Sequence, residues 1–199
     1  MREAITITRK TKETQISLRL DPDRGGKITL SLGLPFFEHM LTAMAFHGGF
    51  GLEISGTGDL DVDPHHLVED VGLVLGQAFA EVLDKGGAVK RYGQFTIPMD
   101  DALSEVVIDV CRRPYLVYQA GFPQTHCGEF DVCLFREFFQ AFANKAQVNL
   151  HAICRYGSNS HHMAEALFKA LGKALSLAYR PAEAGSEGGT SGMSTKGSI

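Results

Sequence analysis

The 199-residue chain writes one pattern twice. HHLVEDVGLVLGQAF (65–79) and HHMAEALFKALGKAL (161–175) align without gaps at an offset of 96. Both histidines, the glutamate, a leucine, a glycine and an alanine are identical, six of the fifteen positions. Upstream the offset becomes 98, where Ala43, Ala45 and Leu52 fall on Ala141, Ala143 and Leu150. A two-residue length change in the intervening loop accounts for the shift. A chain duplicated in this way is expected to form the same layers twice, related by a pseudo-two-fold axis.

The local patterns fill in each unit. Ile5 and Ile7, then Ile16, Leu18 and Leu20, alternate with polar residues and predict a hairpin. A turn over 21–27 and a third strand over 28–32 follow. Pro35 opens FFEHMLTAMAF, whose apolar spacing is helical and which Gly48-Gly49 closes. A strand over 50–55 and a long helix over 67–83 complete the first unit. The second repeats the order, with strands over 95–97, 104–110, 115–119 and 148–154 and helices over 132–143 and 161–178. The expected class is therefore α+β: tandem-duplicated half-domains, each a roughly four-stranded sheet with two helices. The halves are assigned to 1–92 and 93–180, with a Gly/Ser-rich, flexible tail over 181–199.

The repeated histidines carry the chemistry. His65 and Glu69 are four apart on a helix and His66 and Glu69 three apart, so these side chains are neighbours on one face. His161, His162 and Glu165 repeat the arrangement. Adjacent helical residues diverge by about 100°, so each pair is expected to serve two ions, one histidine to each. Imidazole with carboxylate suits Mn, Fe, Zn or Ni, and the lack of a nearby cysteine disfavours structural zinc. His39, in the first helix, falls on Glu137 at the 98 offset, and both can ligate. A single HH pair is usually a surface accident. Two copies with the same glutamate spacing are not explained by packing, because His and Glu are poor core residues.

Composition narrows the partners. The 19 basic against 23 acidic residues give a net charge of −4, which argues against a nucleic-acid surface, so an anionic ligand must be held by a few placed cations. No apolar run has the length of a membrane helix, and MREAITITRK has no apolar core of a secretory signal. Cys111, Cys127, Cys133 and Cys154 form no CxxC pair and are read as reduced thiols of a cytoplasmic protein. His126 and His151 carry no functional signal, and Met40 and Met44 stand at core spacing.

RKTKET (9–14), FFEHMLTAMAFHGGF (36–50), GDLDVDPHHLVEDVGLVLGQAF (58–79), RRPYL (112–116), YGSNSHHMAEALFKALGKAL (156–175) and STKG (194–197) together resemble the imidazoleglycerol-phosphate dehydratase family. The resemblance spans almost the whole chain, and two HHxxE blocks in this order are specific to it. It implies a duplicated fold like the second domain of ribosomal protein S5. It further implies a homo-oligomer of twenty-four subunits built from trimers, with two Mn²⁺ in each site between subunits. The metal ligands it implies are His39, His65, His66, Glu69, Glu137, His161, His162 and Glu165. Many members carry a histidine where this chain has Glu137, and a threonine where it has Leu67.

The reaction implied is dehydration of imidazole glycerol phosphate to imidazole acetol phosphate in histidine biosynthesis, a carbon–oxygen lyase step. Glu13, in the family's ET motif, is the implied acid–base group, with Glu69 and Glu165 able to share proton transfer. Arg91, Arg113, Lys169 and Lys196 would hold the substrate phosphate, with Ser194 and His47 hydrogen-bonding to it. Lys169 has one point of its own, standing four residues after Glu165 on the same helix face. The alternatives are a di-metal hydrolase, which would need bridging carboxylates, and a metal-binding shell protein, which would need neither Glu13 nor a phosphate clamp.

Overall fold

A computed structural model describes residues 2–23 and 25–182. The first half runs β1 (Ile5–Lys10), β2 (Thr14–Asp21), β3 (Ile28–Ser31), α1 (Pro35–Gly48), β4 (Gly51–Gly58) and α2 (His65–Gly86). The second runs β5 (Tyr92–Met99), β6 (Ala102–Asp109), β7 (Tyr115–Gln119), the short β8 (His126–Cys127) and β9 (Phe130–Asp131), α3 (Leu134–Ala146), β10 (Asn149–Tyr156) and α4 (Ser160–Ala178). The second unit takes up its first strand at Tyr92, one residue ahead of the boundary read from sequence.

The duplication holds down to register. The sheets have orders β1-β2-β4-β3 and β5-β6-β10-β7, the same order in equivalent strands. Leu20 faces Leu52 across β2–β4, and Ile108 faces Leu150 across β6–β10. In the parallel pairs Ile28 faces Leu52 and Leu116 faces Leu150. The first three strands of each half therefore correspond at an offset of 88, the later strands and helices at 96 to 98. The only sheet elements without a counterpart among the described residues are β8 and β9, an insertion in the second half.

Alternation puts one face of each sheet inward. In β2, Thr14, Ile16, Leu18 and Leu20 are buried and the intervening residues exposed. Helix α2 lies on the first sheet and α4 on the second, while α1 packs on α4 and α2 on α3. Each helix pair thus joins the two halves across one continuous core, which includes Met40 and Met44. The repeated glycine explains how the helices meet. A Cβ on Gly76 would lie 2.6 Å from the carbonyl oxygen of Phe142, and a Cβ on Gly172 would meet that of Met44 more closely still. Met44 and Phe142 are themselves counterparts at the 98 offset, so the two crossings are one contact made twice.

All four cysteines are free thiols. Among the described residues no helix is long and apolar enough to cross a membrane.

Candidate active site

Helix α4 begins where Asn159 caps it. The Asn159 side chain accepts hydrogen bonds from the backbone N–H of His161 and His162 at 2.9 and 3.4 Å. That fixes both histidines in the first turn, where their side chains diverge. His161 Nε2 lies 3.1 Å from Glu165 Oε2, and His39 Nε2, brought in by the α1–α4 crossing, lies 3.3 Å from the same oxygen. One ligand atom from each of the three falls within 4.8 Å of the others, the only such three-residue grouping among the described residues. Phe36 stands edge-on to His161, with ring centres 5.1 Å apart, and gives the cluster an apolar wall.

Lys169, one turn beyond Glu165, places Nζ 2.8 Å from Glu165 Oε1. Burial raises the Glu165 carboxyl, but the hydrogen bond and charge of Lys169, with His161 and His39, outweigh it and hold the group below its ordinary range. His47 is likewise held below its usual value, by burial and then by Lys169 and Lys173. His47 therefore stands within electrostatic reach of Lys169 and Glu165 on the flank of the cluster, where Lys169 offers an anion positive charge.

His162 turns to a different partner. Its Nδ1 lies 2.6 Å from Asp101 Oδ1, in the tight turn between β5 and β6. The other oxygen of Asp101 accepts from the backbone N–H groups of Ser158 and Asn159 and from the Ser158 hydroxyl. The His162 contact and these donors hold Asp101 far below the usual carboxylate range.

The first half repeats this with altered parts. His65 Nε2 lies 3.8 Å from Glu69 Oε2. His66 Nδ1 lies 3.0 Å from Asp59 Oδ2 and 4.0 Å from Glu13 Oε2. The hydrogen bond to Asp59 raises the affinity of His66 for its proton. Glu137, the counterpart of His39, has its carboxylate 3.8 Å from Arg136 Nη1 and does not close a three-ligand grouping with His65 and Glu69.

The remaining candidate phosphate residues lie elsewhere. The Arg91 N–H donates to the carbonyl of Ala178, at the far end of α4. Its guanidinium is engaged by Asp109, with Nε 2.6 Å from Oδ1. Arg113 sits at the same end of the second sheet, its Nη1 donating to the Cys111 carbonyl. Thirteen residues of helix separate Ala178 from Glu165, about 20 Å at 1.5 Å per residue. Ser194 and Lys196 lie outside the described residues.

The family model for imidazoleglycerol-phosphate dehydratase matches residues 32–175. The chain belongs to the imidazoleglycerol-phosphate dehydratase family. It is 49% identical over 178 residues to imidazoleglycerol-phosphate dehydratase of Geobacter sulfurreducens, covering 89% of this chain and 91% of that protein. It is 49% identical over 175 residues to that of Acidithiobacillus ferrooxidans, covering 88% of each. The crystal structure of the Staphylococcus aureus dehydratase superposes with a TM-score of 0.83 at 35% identity, over 90% of this chain and all of that one. The Pyrococcus furiosus dehydratase does so with a TM-score of 0.83 at 37% identity, over 97% of this chain.

As a member of the imidazoleglycerol-phosphate dehydratase family the chain is a hydro-lyase of histidine biosynthesis, and the hydrolase and storage-shell readings are set aside. Several residues of its site carry no local signal in sequence. Asp59 and Asp101, which hold the second histidine of each pair, read as solvated turn acids until the fold brings them to the helix starts. His126 and Gln124 line a cavity of about 770 Å³ that opens on His39 and His161, although β8 is too short to predict.

Proposed function

We propose that this chain dehydrates imidazole glycerol phosphate to imidazole acetol phosphate with two divalent ions, Mn²⁺ by family resemblance, in sites completed between copies of the chain in the cytoplasm. The observation that carries the metal assignment is the His39–His161–Glu165 cluster, two imidazoles and a carboxylate with ligand atoms within 4.8 Å. That donor set fits a borderline divalent ion with positions open for substrate. His65, Glu69 and Glu137 would supply the related set, and His66 and His162, turned away from their own glutamates, would reach ions shared with another copy. Bound ions would supply Lewis acidity to the substrate's ring nitrogens.

The chain's own groups account for the rest. The C–H bond that breaks is not acidic, so a base must be held beside it. Glu13 is exposed, anchored in a turn and next to a histidine of the first pair, and it is assigned that proton. The hydroxyl departs from the carbon attached to the ring, and the resulting enol becomes the ketone. Lys169 and His47 flank the candidate metal cluster, but the Arg91 backbone is pinned to Ala178, about 20 Å along α4 from Glu165, and Arg113 lies at that same end of the second sheet. One ring, three carbons and a phosphate do not span that gap, which supports a site drawing its phosphate clamp and its metal cluster from different copies.

Metal content and turnover measured together test this reading. Purified protein should contain about two divalent ions per chain and convert substrate to the ketone. Chelation should remove both ions and activity together, and Mn²⁺ should restore them. Full turnover by metal-free protein would reject it.

A further inference from the structure

The two halves differ most sharply beneath the turn that carries Glu13. Asp70 follows Glu69 on α2 and is only 7% exposed. Its Oδ2 accepts a hydrogen bond from the hydroxyl of Thr14, itself 4% exposed. Its Oδ1 lies 2.8 Å from Arg9 Nε, off the N–H axis, so that contact is an ion pair without a well-formed hydrogen bond. The Thr14 hydroxyl also lies 3.2 Å from that of Thr11. The Thr11 hydroxyl in turn accepts from the backbone N–H of Glu13 at 3.1 Å and of Thr14 at 2.9 Å. An unbroken chain of polar contacts thus runs from α2 through Thr14 and Thr11 to the backbone of Glu13.

The second half has none of it. By the strand and helix correspondences, Arg9, Thr14 and Asp70 fall on Ile97, Ala102 and Ala166. Ala102 and Ala166 are buried. An apolar trio therefore packs the same place in the same fold, so the architecture does not need the polar one. A buried carboxylate carries a desolvation cost that an alanine does not. The turn above the trio differs in the same sense. Glu13 falls on Asp101, which is bound directly to His162, whereas His66 is held by Asp59, whose own counterpart is Gly157. In the first half the turn carboxylate stands 4.0 Å from His66, which Asp59 holds more closely at 3.0 Å, and its turn is tied down from below.

We propose that Asp70, with Thr14 and Arg9, is a positioning device for catalysis, fixing the turn that presents Glu13 to substrate. The proposal rests on the reading of Glu13 as the acid–base group. Two variants test it in the assembled, metal-loaded protein: Thr14→Val, which deletes the hydroxyl with little change of shape, and Arg9→Ile/Thr14→Ala/Asp70→Ala, which installs the second half's trio. Backbone hydrogen exchange at Glu13 and Thr14 should speed up in both. kcat should fall roughly tenfold to a hundredfold, the scale of a misplaced catalytic group, with KM and metal content close to wild type.

Unchanged exchange at Glu13 and Thr14 in Thr14→Val would overturn the proposal, as would a loosened turn with wild-type kcat. If the triple variant does not fold, Thr14→Val decides alone. Glu13→Gln separates the two readings. If it retains full activity, the assignment of Glu13 fails and the positioning claim falls with it, even where exchange shows the turn to be tied as described.

Discussion

His39 and Glu165 stand 126 residues apart in the chain, yet His39 Nε2 lies 3.3 Å from Glu165 Oε2. One residue belongs to each duplicated half, so the contact exists only because α1 of the first crosses α4 of the second. His39→Ala or Glu165→Gln should therefore leave the fold intact and strip the cluster of metal. The loss of activity should be at least the 10–100-fold, roughly, that follows removal of an outer-sphere partner. Metal analysis of the folded variants, beside their turnover, checks this.

Asp101 should behave as an orienting group for His162. Its contact with Nδ1 leaves Nε2, which has only longer contacts, 3.7 Å to Asp100 Oδ2 and 3.5 Å to Asn159 Nδ2, as the nitrogen available to an ion, the arrangement in which a carboxylate orients a metal-binding imidazole. Asp101→Asn should weaken divalent-ion affinity by about 10–100-fold. Titration of Mn²⁺ into chelated variant and wild type measures it.

The helix crossings should be intolerant of any side chain. Gly76→Ala and Gly172→Ala each drive a Cβ into a facing carbonyl, and the Gly172 approach is the closer. Backbone cannot yield as a flexible side chain would, so each should destabilise by about 1–3 kcal/mol, Gly172→Ala the more. Denaturant unfolding of the two variants gives both the size and the order.

Acid stability should depend on Glu105. Its hydrogen bond to Arg155, with a second from Gln94, holds the carboxyl below its ordinary range. A carboxyl depressed in the fold contributes stability that is fully present above its unfolded pKa and lost as pH falls through the folded value. Arg155 is half exposed but Glu105 is buried, so Arg155→Ala, which leaves Gln94 as the carboxylate's donor, should cost about 1–3 kcal/mol at neutral pH. The difference from wild type should shrink toward zero below the carboxylate range, as unfolding curves across pH would show.

The sequence makes the duplication legible because identical residues recur at offsets of 96 and 98, and helical spacing alone pairs His161 with Glu165. His39 is legible only through the repeat, since a lone histidine in an apolar helix carries no signal. Asp59 and Asp101 are invisible for the opposite reason: turn acids are common, and only register shows that they sit beneath a histidine. The Arg9–Thr14–Asp70 contacts join β1, β2 and α2, and no local pattern predicts a contact across three elements. Residue spacing also cannot reveal that Arg91 and Arg113 lie toward the far end of α4 from His39, His161 and Glu165.

That separation makes mixing of crippled chains the most direct test of a site shared between copies. A chain carrying Arg91→Ala and Arg113→Ala lacks the distant cations, and a chain carrying His161→Ala lacks the cluster. Each should be inactive alone. Unfolded together, refolded with Mn²⁺ and shown by native mass to have co-assembled, they should recover a measurable fraction of wild-type turnover. Mixed assemblies that form and remain as inactive as their parents would contradict the account.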